Sequence, residues 1–109
     1  MTTTVNVDSA ICNFKHKITG TMEGDKIIID IDSPCKKIQK FAHMEVPMGE
    51  TMAIKDNYVM EKAQEQHCTP TCLVPAGALH VCWMEMGMLS KGLAKKVGSV
   101  SVNFDEVEP

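Results

Sequence analysis

The stretch QHCTPTCLVPAGAL, residues 66–79, carries three side chains whose chemistry Ala or Leu could not replace: His67, Cys68 and Cys72. Thiolate and imidazole are the ligands of soft and borderline metals; Zn²⁺ takes four such groups in a tetrahedron, and iron–sulfur clusters are held by Cys thiolates. Residues this close in sequence do not by themselves close a shell. The question passes to Cys12 and Cys35 upstream, and to the elements that would carry them to the same point.

From Ile11 to Met22, Cys12, Phe14, His16 and Ile18 alternate with Asn13, Lys15 and Lys17, the period of a half-buried strand. The turn signal EGD (23–25) follows, and Ile27, Ile29 and Ile31 then alternate through Asp32, which predicts a hairpin. With Glu23-Gly24 as its two-residue loop, Ile18 faces Ile29 and Cys12 faces Cys35, with Cα atoms roughly 4.5 to 5.5 Å apart. Ser33 as N-cap and Pro34 at the first helical position start a helix whose apolar stripe is Ile38, Phe41 and Ala42, leaving Cys35 in its first turn. EVPMGET reads as a connector. A second helix over about 57–66 puts Val59, Ala63 and His67 in i, i+4, i+8 relation, which aims His67 along the buried face.

In CTPTC, Pro70 pushes the residue before it away from the helical region, so Cys68 and Cys72 flank a turn. Thr71 is the expected cap of a central buried helix that starts near Cys72 and runs through AGALHVCWMEMGML. Val100, Val102 and Phe104 alternate again and suggest a closing strand. The expected fold is α+β: a small antiparallel sheet, hairpin plus C-terminal strand, packed against about three helices. It forms a single domain over 1–109, with 1–9 and 105–109 frayed.

Three separate pieces of chain then converge, at Cys12, at Cys35, and at Cys72 with Cys68 and His67 just before it. Two of these points are helix N-termini, whose partial positive charge and free N–H groups favour thiolate. Cys82 lies ten residues beyond Cys72, about 80° around the helix from that face, and reads as core. His16, His43 and His80 show no ligand spacing, and Glu85 in the WMEMGM run is either exposed or paired to a lysine.

This layout resembles the U-type iron–sulfur cluster scaffolds, the IscU/NifU-N-like proteins. The resemblance rests on a cysteine in AIC (10–12), a second in SPC (33–35) where a hairpin gives way to a helix, and a His-Cys step opening an apolar helix. It covers roughly residues 10–85. It implies a related fold, a site built from Cys12, Cys35, Cys72 and either Cys68 or His67, and a sulfur-donor or cluster-acceptor protein as partner. The scaffolds follow their first two cysteines with Gly where this chain has Asn13 and Lys36, so permanent binding and transfer both stay open. The chain is also similar to a small uncharacterised family from anaerobes with the same cysteine layout, a likeness that extends through GLAKKVGSVSV.

Composition narrows the classes. A hydrophobic fraction of 44% and a charged fraction of 23% are those of a folded domain. A net charge of −3 without a basic stripe, and one Trp, one Tyr and three Phe, argue against nucleic acid as a partner. No leader or bilayer-spanning run is legible, and five cysteines with nine methionines suit a reducing, cytoplasmic setting. No nucleophile–base pair, phosphate-cradling loop or paired carboxylates are legible, so an enzyme is not the expectation. The reading is a small metal-binding protein holding an iron–sulfur cluster or Zn through Cys12, Cys35, Cys72 and Cys68 or His67, as a monomer or a homo-oligomer. Two others stay open: a metal-free thiol that carries persulfide sulfur or senses oxidation, and an interaction module whose cysteines are only core.

Overall fold

The computed structural model describes residues 2–109. It is an α+β protein in which a four-stranded antiparallel sheet packs against helices on one face. The strands are β1 (Thr2–Ser9), β2 (Phe14–Glu23), β3 (Lys26–Asp32) and β4 (His43–Pro47), in that spatial order. The helices are α1 (Lys36–Gln39), α2 (Tyr58–Glu65), α3 (Val74–Glu85) and α4 (Lys91–Val97). The inner face presents Ile18, Ile27, Ile29, Ile31, Met44 and Val46, all buried, against Val74, Ala78 and Val81 of α3. The outer face is polar, as a one-sided antiparallel sheet allows.

The hairpin lies where it was expected, in a different register. Glu23 pairs with Lys26, so the loop is Gly24-Asp25, and Ile18 faces Ile31 instead of Ile29. Gly24 has φ +64°, and a hairpin turn of the II′ type wants its glycine at the first loop position. Starting the loop at Glu23 would instead ask a glutamate to take positive φ. β2 also begins only at Phe14, because residues 10–13 form a turn with Asn13 left-handed at φ +58°. The expected Cys12–Cys35 ladder pair is therefore absent.

Three further expectations are corrected. The segment 2–9, expected to fray, is edge strand β1. The helix expected from Ser33 through the apolar stripe is only the four residues of α1, because His43 and Met44 pair with Asp30 and Ile29 as the start of β4. The alternation of buried Met44 and Val46 is the strand signal that EVPMGET hid. The expected C-terminal strand does not form. Residues 98–109 are exposed and without regular structure, after Gly98 ends α4 at φ +84°.

α3 lies close to the sheet because two glycines let it. A Cβ built on Gly77 would stand 2.8 Å from Val7 Cγ2 and 3.0 Å from Ile18 Cδ1, and one on Gly20 would collide with Val81. At the far end of α3, Glu85 ties the layers together. Its side chain is 3% exposed and accepts hydrogen bonds from the Thr3 hydroxyl, the Met22 N–H (3.0 Å) and the Lys91 ammonium (2.8 Å). Burial pushes the carboxyl up, yet these three donors together hold it below its ordinary value.

Candidate functional site

Cys12, Cys35, Cys68 and Cys72 are each delivered by a turn or a helix end. Cys12 closes the β1–β2 turn by donating its N–H to the Ser9 carbonyl (3.0 Å), and it is exposed. Cys35 caps α1 without a side-chain bond of its own. It is positioned instead by Ser33, whose Oγ accepts the Cys35 N–H at 3.0 Å and lies 2.8 Å from Nδ1 of His16. Burial lowers the His16 pKa, and the imidazole and the Ser33 hydroxyl form one hydrogen bond, in which either can be the donor. This His16–Ser33–Cys35 chain crosses from β2 to α1. Carrying the observed hairpin register one step past Lys17 and Asp32 sets His16 opposite Ser33.

Cys68 and Cys72 follow α2. The chain leaves that helix through a Schellman turn: Cys68 donates its N–H to the Ala63 carbonyl (3.1 Å) and His67 donates to Gln64 (3.0 Å), with His67 left-handed at φ +59°. Cys68 is thereby folded back onto the core and His67 is turned out into solvent. The expectation that His67 follows the buried face of α2 is thus overturned: Val59 and Ala63 are buried, but the periodicity stops one residue short of His67, at the cap. The His67 carbonyl accepts from Lys37 Nζ at 3.2 Å, which ties α1 to this turn. Cys72 then donates its N–H to the Thr69 carbonyl (3.0 Å), closing a turn with Pro70 at its second position. As expected, the two thiols flank a turn. α3 starts two residues beyond Cys72, with Leu73 and not Thr71 as its N-cap.

The electrostatics tie these pieces into one patch. Burial raises the Cys72 thiol, as do the charges of Cys35 and Cys12, while the Val74 N–H at the start of α3 works the other way. Burial likewise raises Cys68, together with the charges of Cys72 and Cys35, against the opposing pull of Lys37. Cys72 is therefore the thiol within electrostatic reach of all three others. Cys82 stands apart, wholly buried on α3, with its thiol pushed up to about 12 by burial. Among the described residues, no three His, Cys, Asp or Glu side chains converge closely enough to hold a metal ion in the conformation seen. The thiols share a neighbourhood without forming a closed shell.

The remaining histidines are accounted for locally. His80 Nδ1 bonds the Ala76 carbonyl one turn back (2.7 Å), and exposed His43 lies 2.7 Å from Asp30, whose carboxylate raises its pKa. The contribution of His16 and Ser33 was hidden from sequence reading, since no ligand spacing links positions 17 apart and only a correct hairpin register would have set them opposite each other.

Sheet, helices and thiol patch together define a small α+β protein in which four of the five free thiols share a neighbourhood near the β1–β2 turn and the starts of α1 and α3. The chain belongs to a family of unknown function, DUF6951, whose model matches residues 3–97. No curated protein and no solved structure matches it. Among the described residues no helix is long and apolar enough to cross a membrane.

Proposed function

We propose that the chain binds a thiophilic metal, as Zn²⁺ or an iron–sulfur cluster, through Cys12, Cys35, Cys68 and Cys72. The observation that carries this reading is the electrostatic coupling of Cys72 to the other three thiols, which come from separate stretches of the chain. Cys68 and Cys72, whose pKa values are raised by burial and by neighbouring thiol charge, are poor nucleophiles at neutral pH. The same features suit a cation site, since a metal ion neutralises the mutual repulsion and keeps coordinated thiols deprotonated. The donor set is all sulfur, which favours Zn or iron–sulfur over Mg or Ca.

Each side chain would have one task. Cys72 is the central ligand, beside the first N–H groups of α3; Cys35 is held by Ser33 and His16; Cys68 and exposed Cys12 rotate inward to complete the shell. His67, turned to solvent, is not a ligand in this reading. Once bound, the metal would cross-link three segments that otherwise meet only through side chains. A sulfur-donor or cluster-acceptor protein is the partner class consistent with a cluster, and permanent retention the outcome consistent with Zn.

The test is metal analysis and absorption spectroscopy after anaerobic purification. We expect about one Zn or several Fe per chain, lost in both Cys35→Ser and Cys72→Ser and retained in Cys82→Ser. Full metal content in Cys72→Ser would refute the site. A metal-free wild-type chain carrying a persulfide on one thiol would replace this reading with that of a sulfur carrier.

A further inference from the structure

The chain has nine methionines, and the core does not absorb them all. Met44 and Met84 are buried, whereas Met48 and Met52 are 37% and 52% exposed and Met86 is half-buried. The last three belong to two distant stretches, MGETM (48–52) between β4 and α2, and MEMGM (84–88) at the end of α3. The fold joins these stretches at Thr51, which is buried. Its hydroxyl donates to the Met48 carbonyl at 2.8 Å and stands 3.4 Å from Sδ of Met86. Its carbonyl accepts the Trp83 indole N–H at 2.9 Å, so the loop is locked onto α3. Met48 is fixed in turn by its N–H, which donates to the Asp25 carbonyl at 3.0 Å. Three thioether side chains thus surround one buried threonine: Met86 with its sulfur already placed there, and Met48 and Met52 at the two ends of the loop that carries Thr51.

We propose that Met48, Met52 and Met86 form a binding site for a soft monovalent cation, Cu(I). Thioether sulfur is a soft, neutral donor of the kind that selects Cu(I), and it binds without losing a proton. Packing alone does not ask for sulfur here, since leucine fills nearly the same volume. The position also suits positive charge. Met86 is the C-cap of α3, where the helix dipole presents its negative end, and α3 has no basic residue in its last turn. Glu50, exposed between Met48 and Met52, adds a carboxylate to the same loop. The exposed, unbranched side chains of Met48 and Met52 can turn toward the Met86 sulfur without disturbing the core. This site is separate from the thiol patch. Cys72 precedes the first residue of α3 and Met86 follows its last, so the twelve-residue helix, about 18 Å long, lies between them.

The experiment titrates Ag(I), the air-stable analogue of Cu(I), into the full chain with isotope-labelled methionine methyl groups, and follows their resonances by NMR. The titration is carried past the equivalents that the thiols take up, so that the two sites are read separately. The methyl groups of Met48, Met52 and Met86 should then shift together and saturate, while those of Met60, 36% exposed on α2, and of buried Met84 stay in place. In Met86→Leu, which keeps the side-chain volume, the far-UV spectrum should be unchanged and the saturating shift of Met48 and Met52 should be lost. No shift beyond the thiol equivalents, or a shift at one methionine alone, would overturn the proposal. A shift of Met60 in parallel with the other three would overturn it as well, by marking adventitious binding to any accessible thioether. So would a joint, saturating shift of Met48 and Met52 that survives in Met86→Leu.

Discussion

Replacing Glu85 by Ala should cost more stability than any other single change of a charged residue in this protein. The carboxylate is 3% exposed and serves three donors on three different elements: Thr3 on β1, Met22 on β2 and Lys91 on α4. A hydrogen bond to a charged group contributes about 1.5–3 kcal/mol, and a buried donor left without a partner bears the full cost of its desolvation. The Met22 N–H and the Thr3 hydroxyl are the two that matter here. Lys91 is 39% exposed, so its ion pair is screened and adds under about 1 kcal/mol. With water re-entering the vacated space, the loss comes to about 3 kcal/mol, or a fall in Tm of about 15 °C for a domain of this size.

The same group sets a pH dependence with a definite sign. The folded-state pKa of Glu85 is depressed, so its stabilisation is fully present above the unfolded carboxyl value of about 4.3. It is lost as the pH falls through the folded value. Thermal unfolding followed by circular dichroism between pH 7 and pH 3 should therefore show wild type and Glu85→Gln far apart at neutral pH and converging in acid. Parallel pH profiles for the two, or a Glu85→Ala variant within about 1 kcal/mol of wild type at pH 7, would mean that the three donors find equivalent partners without the carboxylate. The account of how α3 is anchored to the sheet would then be wrong.

Other substitutions probe the thiol patch and the close packing beneath it. Gly77→Ala should destabilise by about 1–3 kcal/mol in denaturant titration, because the new Cβ presses on Val7 and Ile18 of the neighbouring strands β1 and β2. His67→Gly should stabilise by about 0.5–1 kcal/mol by relieving the left-handed conformation at the end of α2, and it should leave metal content unchanged. His16→Ala should weaken metal binding on the order of tenfold in a chelator competition assay, since Ser33 then loses the imidazole that orients it under Cys35.

Much of the frame was legible because its signals are local and periodic. The isoleucine alternation of β3, the Val59–Ala63 spacing of α2 and the all-round apolar character of α3 each name their element without outside help. The losses came where a tertiary partner decided. Ile38 and Phe41 read as a helical stripe, and both are buried, but the helix stops because Met44 and Val46 gain more from the open edge of β3 than from another helical turn. β1 was hidden for the opposite reason. Thr3, Val5 and Val7 alternate over too few strongly apolar residues to stand out, and only pairing with β2 makes them a strand. Glu85 was legible in part: a lysine partner was one of its two readings and Lys91 supplies it, but nothing in WMEMGM says that further donors come from positions 3 and 22.

The neighbourhood that the thiols share does not arise in the way their spacing suggested. The sequence expectation put Cys12 opposite Cys35 in a ladder, which would have fixed their Cα atoms about 4.5–5.5 Å apart and made them part of the rigid sheet. Instead the β1–β2 turn carries Cys12, the α1 cap carries Cys35, and the two turns between α2 and α3 carry Cys68 and Cys72. Groups held by turns can shift without disturbing a core ladder, whereas groups held in a ladder cannot. A thiol rim on a rigid base is therefore soft where the proposed ligands would close and stiff where α3 meets the sheet through Gly20 and Gly77. The two kinds of stability should separate by experiment: Cys12→Ser should leave the unfolding free energy of the metal-free chain within about 0.5 kcal/mol of wild type, while removing most of the stabilisation that added metal confers.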